Sequence, residues 1–180
     1  MKKNASILLL KTKHDFRGTN WGMNKTQVKA TEKKKPYIED NNMLSYQVEV
    51  DKKDFACVYW FLKNKLYGSG YLIKETHTNK NDYINDYEEL KETLTKKYGK
   101  PKMNRVIWKN DLYKSNEQNW GLAISMGHLV YRTQWETSTT IISLDLMGDN
   151  SDITFGIRYD SKELKEWAKQ IEEKKTLKSL

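Results

Sequence analysis

The sequence lacks most of the features that define disulfide-stapled, membrane-spanning or metal-binding proteins. A single cysteine, Cys57, excludes an internal disulfide and fixes no redox compartment. The three histidines, His14, His77 and His128, have no His, Cys or carboxylate partner at metal-ligand spacing, so we expect surface histidines and no metal or cofactor. No apolar run reaches the roughly 18 residues that a membrane-spanning helix needs.

A complete secretory signal is also missing. The apolar stretch from Ala5 to Leu10 is shorter than the roughly 7–15 residues of a signal core, and no small-residue cleavage site follows it. The sequence as given therefore predicts a cytoplasmic protein. The cell envelope or secretion is the alternative if the N-terminus is a truncated signal.

Aromatic residues, by contrast, are abundant. The 180 residues include 6 Trp and 11 Tyr, and aromatics make up 12% of the chain. This composition is too aromatic for a disordered chain, and the length suits one domain with a substantial core.

Positive charge is concentrated at the start of the chain. Residues 1–35 hold ten Lys or Arg and two acids, which accounts for the whole net charge of +8 and leaves the remainder neutral. We treat residues 1–18 as a basic N-terminal arm and residues 19–180 as a single domain. Weak contact with an anionic polymer or membrane surface would use the cations of this arm: Lys2, Lys3, Lys11, Lys13 and Arg17. A solvated charged segment without a binding role is the alternative.

The stretch GMNKTQV (22–28) predicts the start of a helix. Asn24 is a suitable N-cap, and Gln27 stands at the third helical position, which completes a capping box. Met23 and Val28 occupy the positions of a hydrophobic staple. The residues of this stretch are thus fully used in starting a helix over about 25–32, and no active site is expected here.

Three strands follow this helix, at 43–50, 55–62 and 66–73. A two-residue turn between the last two would pair even positions with odd ones. On that basis we expect Trp60, Tyr67 and Tyr71 to share one face of the sheet. On the other face we expect the rings of Tyr59 and Phe61 to lie over two strand glycines, Gly68 and Gly70. The apolar spacing of residues 83–98, followed by Gly99 and Pro101, predicts a long helix.

A second set of strands is predicted at 104–113, 120–126, 128–135, 139–147 and 153–159, followed by a helix that begins at Asp160–Ser161. The predicted fold class is therefore α+β, with an antiparallel sheet and helices packed on one face. The order of elements also suggests two tandem helix-plus-meander units, about 19–75 and 80–160.

No motif for catalysis is present. The sequence contains no G-x-S-x-G, P-loop, HExxH or C-x-x-C pattern, and Cys57 lies in the most apolar strand, where a thiol packs as a small hydrophobe. We therefore expect a protein that is not an enzyme, and an enzyme of unrecognised type is the least favoured alternative.

Aromatic and arginine side chains on the sheet are the best candidates for function. Trp, Tyr and Arg dominate the energetics of protein interfaces. We predict that another protein binds an exposed sheet face through Trp60, Tyr67, Tyr71, Arg132 and Arg158. The alternative is that these rings form a second core layer, covered by the C-terminal helix or the N-terminal arm.

Two stretches resemble known bacterial modules. WGMNKTQV (21–28) is similar to the helix start of small envelope proteins of the SmpA/OmlA (BamE-like) type, and YWFLKNKLYGSGY (59–71) resembles their aromatic hairpin. The two-unit arrangement is similar to that of the β-lactamase-inhibitor protein. The chain differs in having EKKKP (32–36) after the first helix and no lipoprotein cysteine near its start. The resemblance implies a non-catalytic binding module of a Gram-positive kind.

Overall fold

The fold is built on one antiparallel sheet. The computed structural model describes residues 14–50 and 53–177, and these form eight strands and four α-helices. The strands are β1 Ile38–Glu39, β2 Met43–Val50, β3 Lys53–Leu62, β4 Lys65–Ile73, β5 Met103–Trp108, β6 Leu129–Glu136, β7 Thr140–Asp149 and β8 Asp152–Ser161. The helices are α1 Lys25–Thr31, α2 Asp82–Tyr98, α3 Trp120–Ser125 and α4 Lys162–Leu177. The predicted α+β class is confirmed.

The sheet consists of two meanders joined at its centre. Its strand order is β1-β2-β3-β4-β8-β7-β6-β5, so the last strand of each meander meets the other, with Tyr71 opposite Ile157. A helix precedes each meander, α1 before the first and α2 before the second. The element order therefore matches the two predicted units, while an origin by duplication stays a prediction.

The two faces of the sheet carry different kinds of side chain. One face, here the core face, carries buried side chains such as Tyr59, Leu144 and Trp135. The other, here the outer face, carries Trp60, Gly70, Arg158, Ser143 and Gln134 by strand alternation and register. This asymmetry is typical of an antiparallel sheet with one face packed on the core.

Three helices cover the core face, as predicted. Val28 of α1, Tyr87 of α2 and Ile124 of α3 are buried in the main core cluster. Tyr87 also hydrogen-bonds the buried Thr133 of β6, with 2.6 Å between the two hydroxyl oxygens. These contacts join both helical units to the same face of the sheet.

Helix α4 departs from the prediction that all helices pack on one face. Its Lys165 ammonium reaches the carboxylate of Asp160, an outer-face residue, at 3.0 Å. Its Ala168 is buried outside the main core cluster. The physical reason is the ion pair with Asp160 and the burial of Ala168, which hold α4 in this position, while on the core face beside β4 and β8 the Phe16 ring contacts Tyr71 and Tyr159.

The packed region therefore includes residues 14–18, which the sequence analysis assigned to the basic arm. Phe16 is buried, and Thr19 closes a tight turn by donating its hydroxyl to the Phe16 carbonyl at 2.7 Å. The remaining arm cations, Lys2, Lys3, Lys11 and Lys13, lie outside the described residues.

Two of the predicted strands were wrong in extent or type. The strand expected at 104–113 ends at Trp108, and the strand expected at 120–126 is helix α3. The short apolar run WGLAISM fits both periodicities, so packing decides its structure. Gly121 lies so close to the start of α2 that an added Cβ would be 2.2 Å from the Lys80 carbonyl carbon. A glycine is required there for the two helices to approach.

The predicted capping box is confirmed and gives a first test. Asn24 Oδ1 accepts a hydrogen bond from the Gln27 amide, and the Asn24 amide donates to Gln27 Oε1, both at 2.9 Å. We expect Asn24→Ala to lower the free energy of unfolding by about 0.5–2 kcal/mol, because the start of α1 loses its cap. Urea denaturation followed by circular dichroism measures this.

The matched control for the capping test is Asn42→Ala. The Asn42 side chain is exposed and makes no hydrogen bond within the described structure, so its loss should leave stability nearly unchanged. Equal effects of the two substitutions would contradict the capping assignment.

Candidate functional site

The five residues predicted to bind a partner lie on two different faces. Trp60, Arg158 and Arg132 belong to the outer face, and Tyr67 approaches Arg158 there. Tyr71 lies on the core face, opposite Cys57 in the register of β3 and β4. The prediction that Trp60, Tyr67 and Tyr71 are neighbours on one face was therefore wrong for Tyr71.

A β-bulge in the β3–β4 hairpin explains this error. The two-residue turn exists as predicted, with Lys63 and Asn64 both at positive φ, and Phe61 pairs with Leu66. The next pair is Trp60 with Gly68, so Tyr67 is an extra residue in β4. Beyond an extra residue, each side chain of β4 points to the face opposite to the one that simple alternation predicts. Tyr71 therefore lies on the core face.

The bulge also changes which ring covers the hairpin glycines. Tyr59 and Phe61 were expected over Gly68 and Gly70, but Trp60 takes this place. A Cβ added to Gly70 would be 3.2 Å from Trp60 Cη2, and one added to Gly68 would be 3.5 Å from Trp60 Cε3. The indole therefore lies along a strip of bare backbone, where a side chain at either glycine would crowd the ring.

Arg158 also contacts this indole. Its guanidinium carbon is 4.6 Å from the centroid of the Trp60 ring, which is a cation–π contact. Its Nε donates to Asp160 Oδ1 at 2.8 Å. Burial lowers the pKa of Arg158, but the Asp160 carboxylate and Tyr67 outweigh this effect and raise it, so the guanidinium is always charged.

One buried carboxylate serves two cations at this point. The Asp160 side chain is 2% exposed and binds both Arg158, at 2.8 Å, and Lys165 of α4, at 3.0 Å. The group therefore carries one positive charge in excess. We name it the Trp60 cluster and define it by these residues: Trp60, Tyr67, Arg158, Asp160 and Lys165.

Arg132 belongs to the same face but to a separate group. Its Nε binds Asp145 Oδ1 across the β6–β7 pair, and the neighbouring Gln134 donates to Ser143 Oγ at 3.0 Å. Strand β6 is two strands from β8, or about 10 Å at the usual strand spacing. Arg132 is thus a polar outer-face residue near the Trp60 cluster but not in contact with Trp60 or Arg158 among the contacts described.

Tyr71 instead takes part in a network on the core face. Its ring contacts Phe16, with 5.2 Å between centroids, and burial raises the pKa of its hydroxyl. Arg17 donates to this hydroxyl at 3.4 Å and forms a two-point ion pair with Glu32, at 3.0 and 3.2 Å. The Glu32 side chain is 8% exposed, so Arg17 is engaged in the fold instead of being free for an anionic surface.

Cys57 has the surroundings of a core residue. The side chain is fully buried, and this burial raises the pKa of its thiol to about 12. A nucleophilic thiol would need the opposite, an exposed position with a lowered pKa. The thiol is therefore a packing group, as the apolar strand around it indicated.

A cluster around His77 was not predicted from the sequence. His77 Nε2 lies 2.7 Å from Asp86 Oδ2, and Glu75 offers a third ligand atom within 4.8 Å of both. His77 and Asp86 are nine positions apart, so no local spacing rule reveals the pair. The loop after β4, which carries His77, folds back onto α2 and brings the two side chains together.

The three histidines are half-buried, whereas the sequence analysis expected them on the surface. His77 packs against Tyr83 as well as Asp86, and His128 stacks on Tyr113 with 5.8 Å between ring centroids. For His77 and His128, the physical reason for this burial is a neighbouring aromatic ring, which the spacing of the histidines does not reveal.

No match was found between this chain and any protein-family model, curated protein or solved structure. None of the helices in the described ranges is long and apolar enough to cross a membrane. The resemblance to BamE-like and β-lactamase-inhibitor-like modules therefore stays a prediction.

Proposed function

We propose that the protein is a non-catalytic protein-binding module whose partner binds the outer face at the Trp60 cluster. The observation that carries this proposal is the contact of the Arg158 guanidinium with the Trp60 indole, which lies over two glycines. Tryptophan, tyrosine and arginine are the side chains most enriched at the energetic centres of interfaces. A ring that is already held in place loses little conformational entropy on binding.

The charge of the cluster defines the chemistry of the partner. Arg158 and Lys165 share the single carboxylate of Asp160, and the two cationic side chains are 44% and 40% exposed. A partner carboxylate would neutralise the excess positive charge, and an adjacent apolar side chain would cover the indole. We therefore infer a protein partner that presents Asp or Glu next to a large apolar residue.

The competing proposals have less support from the described residues. Binding of an anionic surface relied on five cations of the N-terminal arm. Four of them lie outside the described residues, and the fifth, Arg17, is paired with Glu32. An enzyme of unrecognised type gains no support from Cys57, whose buried thiol has a raised pKa. A binding role also agrees with what the BamE-like resemblance implies.

A peptide-selection experiment tests the proposal although the partner is unidentified. The folded protein is used to select from a displayed library of random peptides, and the selected peptides are titrated against variants. We expect enrichment of Asp or Glu next to an aromatic or aliphatic residue. Trp60→Ala and Arg158→Ala should each weaken binding by more than about fivefold, or about 1 kcal/mol, when each variant is titrated well below its own melting temperature.

Gln47→Ala is the matched control for this selection. Gln47 is an exposed outer-face residue of β2, opposite Ala56 and away from the cluster. Its loss should leave peptide affinity unchanged. Selected peptides that bind Trp60→Ala as tightly as the unchanged protein would place the binding surface elsewhere and refute the proposal.

A further inference from the structure

We propose that Glu75, His77 and Asp86 form a binding site for one divalent transition-metal ion, with Zn²⁺ as the preferred ion. This site is separate from the Trp60 cluster and independent of the protein-binding proposal. The three side chains each offer one ligand atom, and these atoms lie within 4.8 Å of one another. No other part of the chain that the structure describes contains such a group.

The distances are close to those that a metal ion requires. Zn²⁺ binds imidazole nitrogen and carboxylate oxygen at about 2.0–2.2 Å, so two ligand atoms of a tetrahedral site are roughly 3.4 Å apart. His77 Nε2 and Asp86 Oδ2 are 2.7 Å apart, and no pair exceeds 4.8 Å. Side-chain rotations that move these atoms by about 1.5 Å or less would satisfy the ion.

The imidazole is held in an orientation that suits a ligand. The His77 ring packs edge-on against Tyr83, with 4.6 Å between ring centroids. The Tyr83 hydroxyl accepts a hydrogen bond from the His77 amide at 3.3 Å and donates to the Glu75 carbonyl at 3.4 Å. Tyr83 thus fixes the segment that carries two of the three ligands, and such outer contacts strengthen metal sites.

The local charge favours a cation. Asp86, Glu75 and Glu89 surround this point, and Lys53 is the cation that pairs with them, 2.9 Å from Asp86 Oδ1 and 3.9 Å from Glu89 Oε2. Apart from His77, the three carboxylates and Lys53 have an excess of two negative charges. Lys53 binds the Asp86 oxygen that does not face His77. Its ammonium would therefore repel a bound metal ion but would not occupy the position of that ion.

The donor set identifies the class of metal. One imidazole and two carboxylates match borderline ions such as Zn²⁺ and Co²⁺, and a set without thiolate disfavours Cu⁺. Three protein ligands leave at least one position for water. Because Glu75 and His77 precede α2 while Asp86 lies within it, a bound ion would fasten this segment to the helix and stabilise the fold.

Titration with zinc chloride and cobalt chloride tests the site. The metal-free full chain is titrated by calorimetry near neutral pH, and the melting temperature is measured with and without Zn²⁺. We expect one ion per chain and a higher melting temperature in its presence. Co²⁺ should give visible absorption bands from its bound form.

Four variants distinguish this site from adventitious binding. His77→Gln and Glu75→Gln should each weaken Zn²⁺ binding by about tenfold or more, because each removes a ligand. Among the described residues the Glu75 carboxylate makes no hydrogen bond, and only the Glu75 backbone carbonyl accepts one. Glu75→Gln should therefore fold normally even if His77→Gln does not.

Lys53→Met should tighten Zn²⁺ binding by about fivefold, because the repelling charge is lost. Glu92→Gln, which alters an exposed acid on the same helix, is the matched control.

Two results would overturn the proposal. The first is a failure of the unchanged protein to bind Zn²⁺ at up to about 1 mM, a concentration at which even weak sites fill. The second is Zn²⁺ binding that survives unchanged in both His77→Gln and Glu75→Gln, which would show that the ion binds elsewhere on the chain.

Discussion

Raising the pH to about 11 is expected to unfold the protein, because its buried acids cannot ionise in the folded state. Burial raises the pKa of Cys57, Tyr46 and Tyr131 to about 12 in each case. The cause is the loss of water around each group, since all three side chains are at most 4% exposed. In the unfolded chain the same groups ionise near pH 9.0 for the thiol and 10.0 for the phenols.

The direction of the effect follows from which state holds the protons. Between the unfolded and folded pKa values, the unfolded chain has released its proton while the folded chain keeps it. The unfolded state therefore binds fewer protons, and the free energy of unfolding falls as the pH rises. At a pH well below the unfolded pKa values these groups are neutral in both states, and the effect is absent.

The size of the effect is comparable to the stability of a domain. Each group costs about 1.4 kcal/mol per pH unit above its unfolded pKa. At pH 11, Cys57 thus contributes about 2.7 kcal/mol, and Tyr46 and Tyr131 contribute about 1.4 kcal/mol each. Burial also raises the pKa of Tyr59, Tyr87 and Tyr159, which adds to the loss. A typical domain has only about 5–15 kcal/mol to lose.

The measurement is an alkaline titration followed by circular dichroism and by tyrosinate absorbance. Exposed tyrosines such as Tyr37 can form tyrosinate without unfolding, so the part of the absorbance change that comes from the buried rings is the informative one. This part should appear together with the change in circular dichroism, because the buried tyrosines ionise on unfolding. Cys57→Ala should lose less stability between pH 9 and 10 than the unchanged protein, since the thiol is the first of these groups to titrate. Tyr37→Phe is the control, because Tyr37 is 69% exposed. Gradual formation of tyrosinate by the buried rings without loss of structure would contradict the prediction.

The sequence was sufficient to predict the features that depend on local chemistry. The capping box of Asn24 and Gln27, the two-residue turn after β3 and the long helix α2 all follow from residue types at short spacings. Such features involve atoms that are neighbours in the chain. Their energetics therefore depend on a few consecutive residues.

The bulge at Tyr67 shows where local reasoning fails. Alternation predicts faces correctly only if no residue is inserted, and one extra residue moved Tyr71 from the outer face to the core face. The sequence YGSGY did contain a signal, because glycines within a strand often mark a bulge. The bulge allows Trp60 of β3 to pack on Gly68 and Gly70 of β4. Because this contact joins two strands, the pattern of either strand alone does not reveal it.

The candidate sites depended still more on distant contacts. Arg158 was selected for its residue type, but its contact with Trp60 requires β4 to pair with β8, which lies far along the chain. The His77–Asp86 pair requires a loop and a helix to pack together. Helix α4 contacts the outer face through Lys165 and Asp160, a pairing that its own periodicity does not reveal. Each outcome depends on how separate elements pack in the folded chain.

Trp135→Ala is expected to lower the free energy of unfolding by about 3–5 kcal/mol, the usual cost of removing a buried aromatic ring. Trp135 is fully buried on the core face of β6, opposite Ile142 of β7. Its removal leaves a cavity on the core face, where β5 and β7 on either side of β6 restrict relaxation. Urea denaturation followed by circular dichroism measures the loss without depending on tryptophan fluorescence.

Two further variants show whether burial, and not the indole itself, causes this loss. Trp135→Phe should cost less than Trp135→Ala, because a ring still fills most of the space. It also removes the buried Trp135 Nε1–H group, which has no hydrogen-bond partner within the described structure. Trp60→Ala removes the same side chain from the outer face, where it is only half-buried, and should cost less than half as much as Trp135→Ala. Equal losses for Trp60→Ala and Trp135→Ala would mean that the outer face is a second core, and the surface proposed for partner binding would then be closed.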